Sequence, residues 1–176
     1  MKNTCNLQFT LLLFCFLSPS LQAQGFEKEN SILGIGIGVG DRLGGNNLPL
    51  GAHFEKGVAD QISVGAFAGY SSFSSDLAKI TYILIGGRGS YHYGNHFDGL
   101  GDNWDLYGGL TVFYLNTSTK ATDNSPLFGQ ELGNSGGSVD FGIFTGARYY
   151  FSDSAGIYAE LGTGLAWIQL GLALRL

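Results

Sequence analysis

Along most of the chain, apolar residues recur at every second position. The alternation runs in eight segments, about 31–40, 48–57, 62–73, 79–93, 104–116, 138–151, 156–164 and 166–176, separated by clusters of Gly, Asp, Asn and Ser. In the first, Leu33, Ile35, Ile37 and Val39 share one parity, and Gly34, Gly36, Gly38 and Gly40 share the other. In the fifth, Leu106, Leu110, Val112 and Tyr114 oppose Asp105, Tyr107, Gly109 and Thr111. The last sets Ile168, Leu170, Leu172, Leu174 and Leu176 against Gln169, Gly171, Ala173 and Arg175. A period of two marks strands with two unlike faces, and no stretch carries the 3.6-residue period of an amphipathic helix. The chain is therefore predicted to be all-β. The first half of the fourth segment, "KITYILIGG", is apolar at both parities, a pattern that a register-shifting bulge would produce.

The two faces decide the surroundings. One is apolar in every segment, with Lys56 and Lys79 as exceptions at segment ends; the other holds glycine and nearly all the strand charges. A soluble sandwich would have to show that glycine-rich face to water, a poor use of residues that weaken solvated strands. With the apolar face toward lipid, the glycines instead leave room for Arg, Glu, His and Tyr inside a narrow lumen. The pattern thus predicts an eight-stranded antiparallel up-and-down transmembrane β-barrel, which satisfies every backbone group and leaves no edge in lipid. The segment lengths match the ~9–11 residues a spanning strand needs. Tyr70 and Tyr114 fall toward one rim, and Tyr91, Tyr93, Trp104, Tyr149 and Phe151 toward the other, as an interfacial girdle would. Residues 116–137 form the longest predicted loop and face the cell exterior if both termini are periplasmic.

Composition narrows the picture. Residues 1–23 read as a cleaved signal peptide, charged at Met1-Lys2 and apolar over Leu7–Leu17; 24–30 would be a short periplasmic segment and 31–176 the barrel domain. Both cysteines, Cys5 and Cys15, lie in the leader, so the exported part has no disulfide and no thiolate ligand. Fourteen acidic residues against nine basic ones, with the bases scattered, argue against a nucleic-acid partner. Glycine is abundant, 29 residues, without a collagen-like period.

The leader, the eight amphipathic segments, the short hairpin "GARYYFSDSAGIYAELGTG" and a last strand that runs to the final residue resemble the small eight-stranded outer-membrane barrels of Gram-negative bacteria, the OmpA transmembrane-domain and OmpX-like group. The resemblance covers about residues 30–176. It implies an outer-membrane location, contact with outer-membrane lipid, assembly by periplasmic chaperones and the barrel-insertion machinery, and a monomer. It also implies that the last strand, through Ile168, Leu170, Leu172, Leu174 and Leu176, carries the insertion signal. Members usually end in an aromatic residue, and Leu176 departs from that.

Candidate chemistry is confined to the inward face: His53, Glu55, Arg88, His92, Asp140, Arg148 and Glu160. A hairpin symmetric about Ser154 would set Arg148 opposite Glu160 and Tyr150 opposite Tyr158. Opposed charges on neighbouring strands in a low-dielectric interior should pair. Such a network serves either as a gate or as packing, and an eight-stranded barrel is only wide enough for side chains to fill it. No catalytic site is expected: the histidines sit away from the far rim, and Ser71, Ser72, Ser74, Ser75 and Asp76 read as a turn without a nearby base. No two histidines have ligand spacing on one strand face, so no metal is expected. "GIGIGVG" alternates within a strand with no following helix and is no nucleotide loop, so no cofactor is expected. The expected role is structural or surface interaction with at most a very small pore. The alternatives are a secreted soluble barrel binding a small apolar ligand, and an adhesin or host-defence protein acting through residues 116–137.

Overall fold

The computed structural model describes residues 28, 30–40, 43, 48–75, 78–97, 99–121 and 134–176. The leader and most of 24–30 lie outside these. Eight strands follow in order: β1 (Ser31–Val39), β2 (Leu50–Ala59), β3 (Ile62–Ser74), β4 (Ala78–His92), β5 (Trp104–Ala121), β6 (Asn134–Tyr150), β7 (Ala155–Gly162) and β8 (Ile168–Arg175). Each pairs antiparallel with its neighbour in sequence, and β8 pairs with β1, so the sheet is a closed up-and-down barrel. The closing seam joins the two segments with the plainest alternation: Ile35 faces Leu172 and Ile37 faces Leu170. Both ends of the barrel domain meet there, where Leu176 N–H donates to Ser31 O at 2.8 Å.

Side-chain direction follows parity throughout. Leu50, Val64, Ile85, Leu110, Val112, Phe141, Ile143, Ile157 and Leu172 point outward, with Leu110 66% and Phe141 73% exposed. Glycines and polar residues point in. The close approach is plainest at Gly36 and Gly171, which face each other across the β1–β8 seam. A Cβ on Gly36 would stand 2.5 Å from Tyr158 Oη, and one on Gly171 would stand 2.6 Å from Tyr158 Cε1. The neighbouring strand's backbone crowds both positions as well, Leu170 O beside Gly36 and Ile35 O beside Gly171, so neither has room for a side chain. The soluble-carrier alternative required the leucines, isoleucines and valines to point inward, and all but a few, such as Ile32, Leu84 and Leu165, point outward.

Three expectations are corrected. The β4 ladders run unbroken from Ile62↔Tyr91 to Ser74↔Lys79 and from Ala78↔Ala121 to His92↔Tyr107, so no bulge shifts its first half. That half is apolar on both faces because Leu84 points into the barrel and packs with Phe113 and Leu165, against which Phe67, Tyr82 and Leu115 also lie. The register does shift elsewhere, between Gly57 and Ala59. Second, the predicted loop at 116–137 is shorter, because β5 continues to Ala121 and pairs with β6 up to Thr119↔Asn134. "NTSTKA" is rich in β-compatible threonine but has no apolar face, so alternation could not reveal it. The remainder, 122–133, lies outside the described residues. Likewise Ser71, Ser72 and Ser74 belong to β3 rather than to a turn, while Asp76 lies outside the described residues.

The third correction concerns the β6–β7 hairpin. Phe151 and Ser152 N–H both donate to Ala155 O, and Ser152 Oγ accepts from Ala155 N–H at 3.1 Å, so the turn centres on Asp153. Arg148 therefore lies opposite Tyr158, Glu160 opposite Gly146, and Tyr150 opposite Gly156. At the same end of the barrel, the β4–β5 connection contains a 3-10 turn, Gly94–His96. Tyr91 Oη meets His96 Nε2 at 2.7 Å, and Trp104 packs on Tyr149 with ring centroids 5.0 Å apart.

Candidate functional site

The inward charges are brought together by the tilt of the strands rather than by direct cross-strand pairing. Arg148, on β6, is fully buried. Its Nη2 donates to Glu55 Oε1 of β2, and its Nη1 donates to Asp105 Oδ2 of β5 at 2.9 Å. Its guanidinium lies 3.8 Å over the Tyr107 ring. Arg88, on β4, donates from Nη2 to Glu160 Oε2 at 2.9 Å, has Nε 3.4 Å from Glu55 Oε1, and covers the Phe144 ring at 4.0 Å. Glu160 also accepts from Tyr107 Oη at 3.2 Å and from Gln169 Nε2 at 3.4 Å. Glu55 accepts further from Ser63 and Ser90 hydroxyls. Glu55 thus bridges the two arginines, and no carboxylate in the cluster is left without a donor.

One arm of this cluster has the connectivity of a catalytic triad. Ser63 Oγ lies 2.9 Å from His92 Nε2, and His92 Nδ1 lies 2.7 Å from Asp105 Oδ1. Two features set it apart from a nucleophilic site. Ser63 has no exposed surface, and its hydroxyl proton is donated to Glu55 Oε2 at 2.8 Å. A nucleophile must instead release that proton to its base and stand beside space for the reacting atom. The contacts close on themselves through Asp105, His92, Ser63, Glu55 and Arg148.

Of the residues singled out from sequence, His53, Glu55, Arg88, His92, Arg148 and Glu160 converge here. His53 packs edge-on against Tyr158, with its Nε2 3.7 Å from Glu55. The expected Arg148–Glu160 pair is replaced by Arg148 with Glu55 and Asp105, and Glu160 with Arg88. Asp140 lies farther up β6, opposite Phe113, where its Oδ1 accepts from Phe141 N–H at 2.8 Å. Asp105, Ser63, Ser90, Tyr107 and Gln169 complete the cluster without having been singled out. Parity puts Asp105 and Ser63 on the inward face, but period alone does not say which inward polar residues meet. Apolar residues bracket the network: Ile32, Tyr150, Tyr158 and Ala173 on one side, and Leu84, Phe113 and Leu165 toward the far end. The cavity beside it, lined by His53, Phe67, Arg88, Thr111 and Glu160 among others, has about 20 Å³, room for a single water.

No family model matches the sequence, and no curated protein matches it. The fold does have solved counterparts. The N-terminal β-barrel domain of Pseudomonas aeruginosa OprF superposes with a TM-score of 0.54 at 16% identity, covering 85% of this chain and 98% of that one. A de novo designed transmembrane β-barrel superposes with a TM-score of 0.50 at 13% identity, again covering 85% and 98%. With its closed sheet, outward apolar residues and filled polar lumen, the chain has the fold of the small eight-stranded transmembrane β-barrels.

Proposed function

We propose that the protein is an outer-membrane β-barrel of a Gram-negative bacterium with a structural or surface-contact role and at most a very small pore. The observation that carries this reading is the inversion of the barrel: Leu, Ile, Val and Phe cover the outside while Arg148, Glu55 and Asp105 are buried within. In water such a surface would aggregate, because monomeric soluble proteins rarely expose large contiguous apolar patches. In a bilayer it is the low-energy arrangement, and the sheet closes on itself so that every strand has a partner on each side. A secreted carrier of an apolar ligand is disfavoured, since pockets for such ligands occupy about 300–1,000 Å³ and the cavity beside the network has about 20 Å³.

The lumen supports packing in preference to conduction. Both arginines are held by carboxylates and covered by aromatic rings, and Leu165 is inserted at the far end. The Ser63–His92–Asp105 arm is buried and bonded into the network, which supports packing in preference to catalysis. β5 and β6 have 18 and 17 residues against eight in each of β7 and β8, and this raised hairpin is the element best placed for surface contact. The purified barrel in planar bilayers tests the role: it should leave the membrane silent or give only rare, small openings. Steady, ohmic channels of porin size would replace this reading with a pore.

A further inference from the structure

The barrel wall has a notch. β7 stops at Gly162 and β8 starts at Ile168, whereas β6 continues beyond the last β6–β7 pair, Phe144↔Gly162, up to Asn134. The chain crosses the gap as a short turn, with Thr163 bonded to Ile143 through Thr163 N–H to Ile143 O at 2.9 Å and Ile143 N–H to Thr163 Oγ1 at 3.1 Å. Outside this turn lies a groove of about 460 Å³, walled by Ile143, Leu161, Trp167 and Ile168 and floored by Phe144 and Gly162. The walls are outward-facing residues, with Ile143 62%, Leu161 57% and Trp167 52% exposed.

We propose that this groove is a fixed site for one acyl chain of a bilayer lipid, on the half of the barrel away from the termini. The inference rests on the outer-membrane reading. Given that reading, the occupant follows from continuity: the groove is bordered by Val139 and Phe141 on β6 and Leu170 on β8, all facing outward in the same apolar belt. An empty groove there would forfeit dispersion contacts along its whole lining, and water has too few polar partners in it. Its volume lies within the ~300–1,000 Å³ of small-molecule sites, so it holds a segment of chain rather than a side chain. The site differs from the rest of the belt in being concave, and Phe144, whose ring lies against Arg88, is among its lining residues.

The two tryptophans, Trp104 and Trp167, stand at opposite ends of the barrel, which makes the test direct. Barrel carrying Trp104→Phe, leaving Trp167 alone, is folded in vesicles of dibrominated phosphatidylcholine and then exchanged into an unbrominated detergent. A retained chain quenches most of the Trp167 emission relative to protein prepared with unbrominated lipid, and Leu161→Phe, which narrows the groove at its wall, restores it. Native mass spectrometry should show one phospholipid on the wild-type barrel and none on Leu161→Phe, with Ile85→Phe on the opposite wall as a control that keeps it. Emission independent of bromination, equal lipid retention in Leu161→Phe, or a dimer that buries the groove in place of lipid each overturns the proposal. A barrel that folds and inserts yet retains no lipid sinks this site alone. A barrel that does not insert sinks the reading beneath it.

Discussion

At the scale of single residues, the account stands on how buried charges are shared. Removing one partner of a buried pair leaves an uncompensated charge and costs about 3–5 kcal/mol, so Arg148→Met should lower the urea midpoint of unfolding in micelles sharply. Arg88→Met and Glu160→Gln should couple, with an interaction energy on the order of 0.5–3 kcal/mol in a double-mutant cycle. Arg148 with Glu160 should be much closer to additive, since Arg148 is held by Glu55 and Asp105 instead. The reverse ranking would restore the symmetric hairpin. Parity alone placed most of the network's members on the inward face. It could not say which would meet, because contacts across the lumen depend on strand tilt and on a turn set by the Ser152 hydroxyl, neither of which leaves a periodic trace.

At the scale of elements, legibility tracked the physics that shapes each strand. β1 and β8 alternate between lipid and glycine without interruption, and their pairing at the seam matches the expectation from sequence. β4 was ambiguous because its upper half has two apolar surroundings, lipid outside and the Leu84–Phe113–Leu165 cluster within. The upper parts of β5 and β6 were hidden because strands that rise beyond the apolar belt have no reason to alternate. This division predicts independence of the two regions. Deleting 122–133 and joining the strands by a short turn should leave the heat-dependent gel shift of the folded barrel unchanged, while any surface-binding activity is lost. Failure of that variant to fold would show that the raised hairpin belongs to the folding core. Unchanged binding would remove it as the contact element.

For the molecule as a whole, the fold has an ordinary polypeptide turned inside out: charge at the centre, hydrocarbon at the surface, and glycine where neither fits. The interior is close to full, so rigidity and closure are the properties it offers a membrane, and its surface chemistry is concentrated at one raised end. The central claim is that the outward leucines of β8 meet lipid, and their parity makes it measurable. The barrel domain has no cysteine, so single nitroxide labels can be placed at Leu170, Leu172 and Leu174, with Gln169 and Ala173 as inward neighbours. In barrels reconstituted in lipid vesicles, relaxation by dissolved oxygen should be strong at Leu170, Leu172 and Leu174, and relaxation by a water-soluble nickel chelate should be weak there. Strong relaxation by the nickel chelate at the leucines would put that face in water and contradict the account.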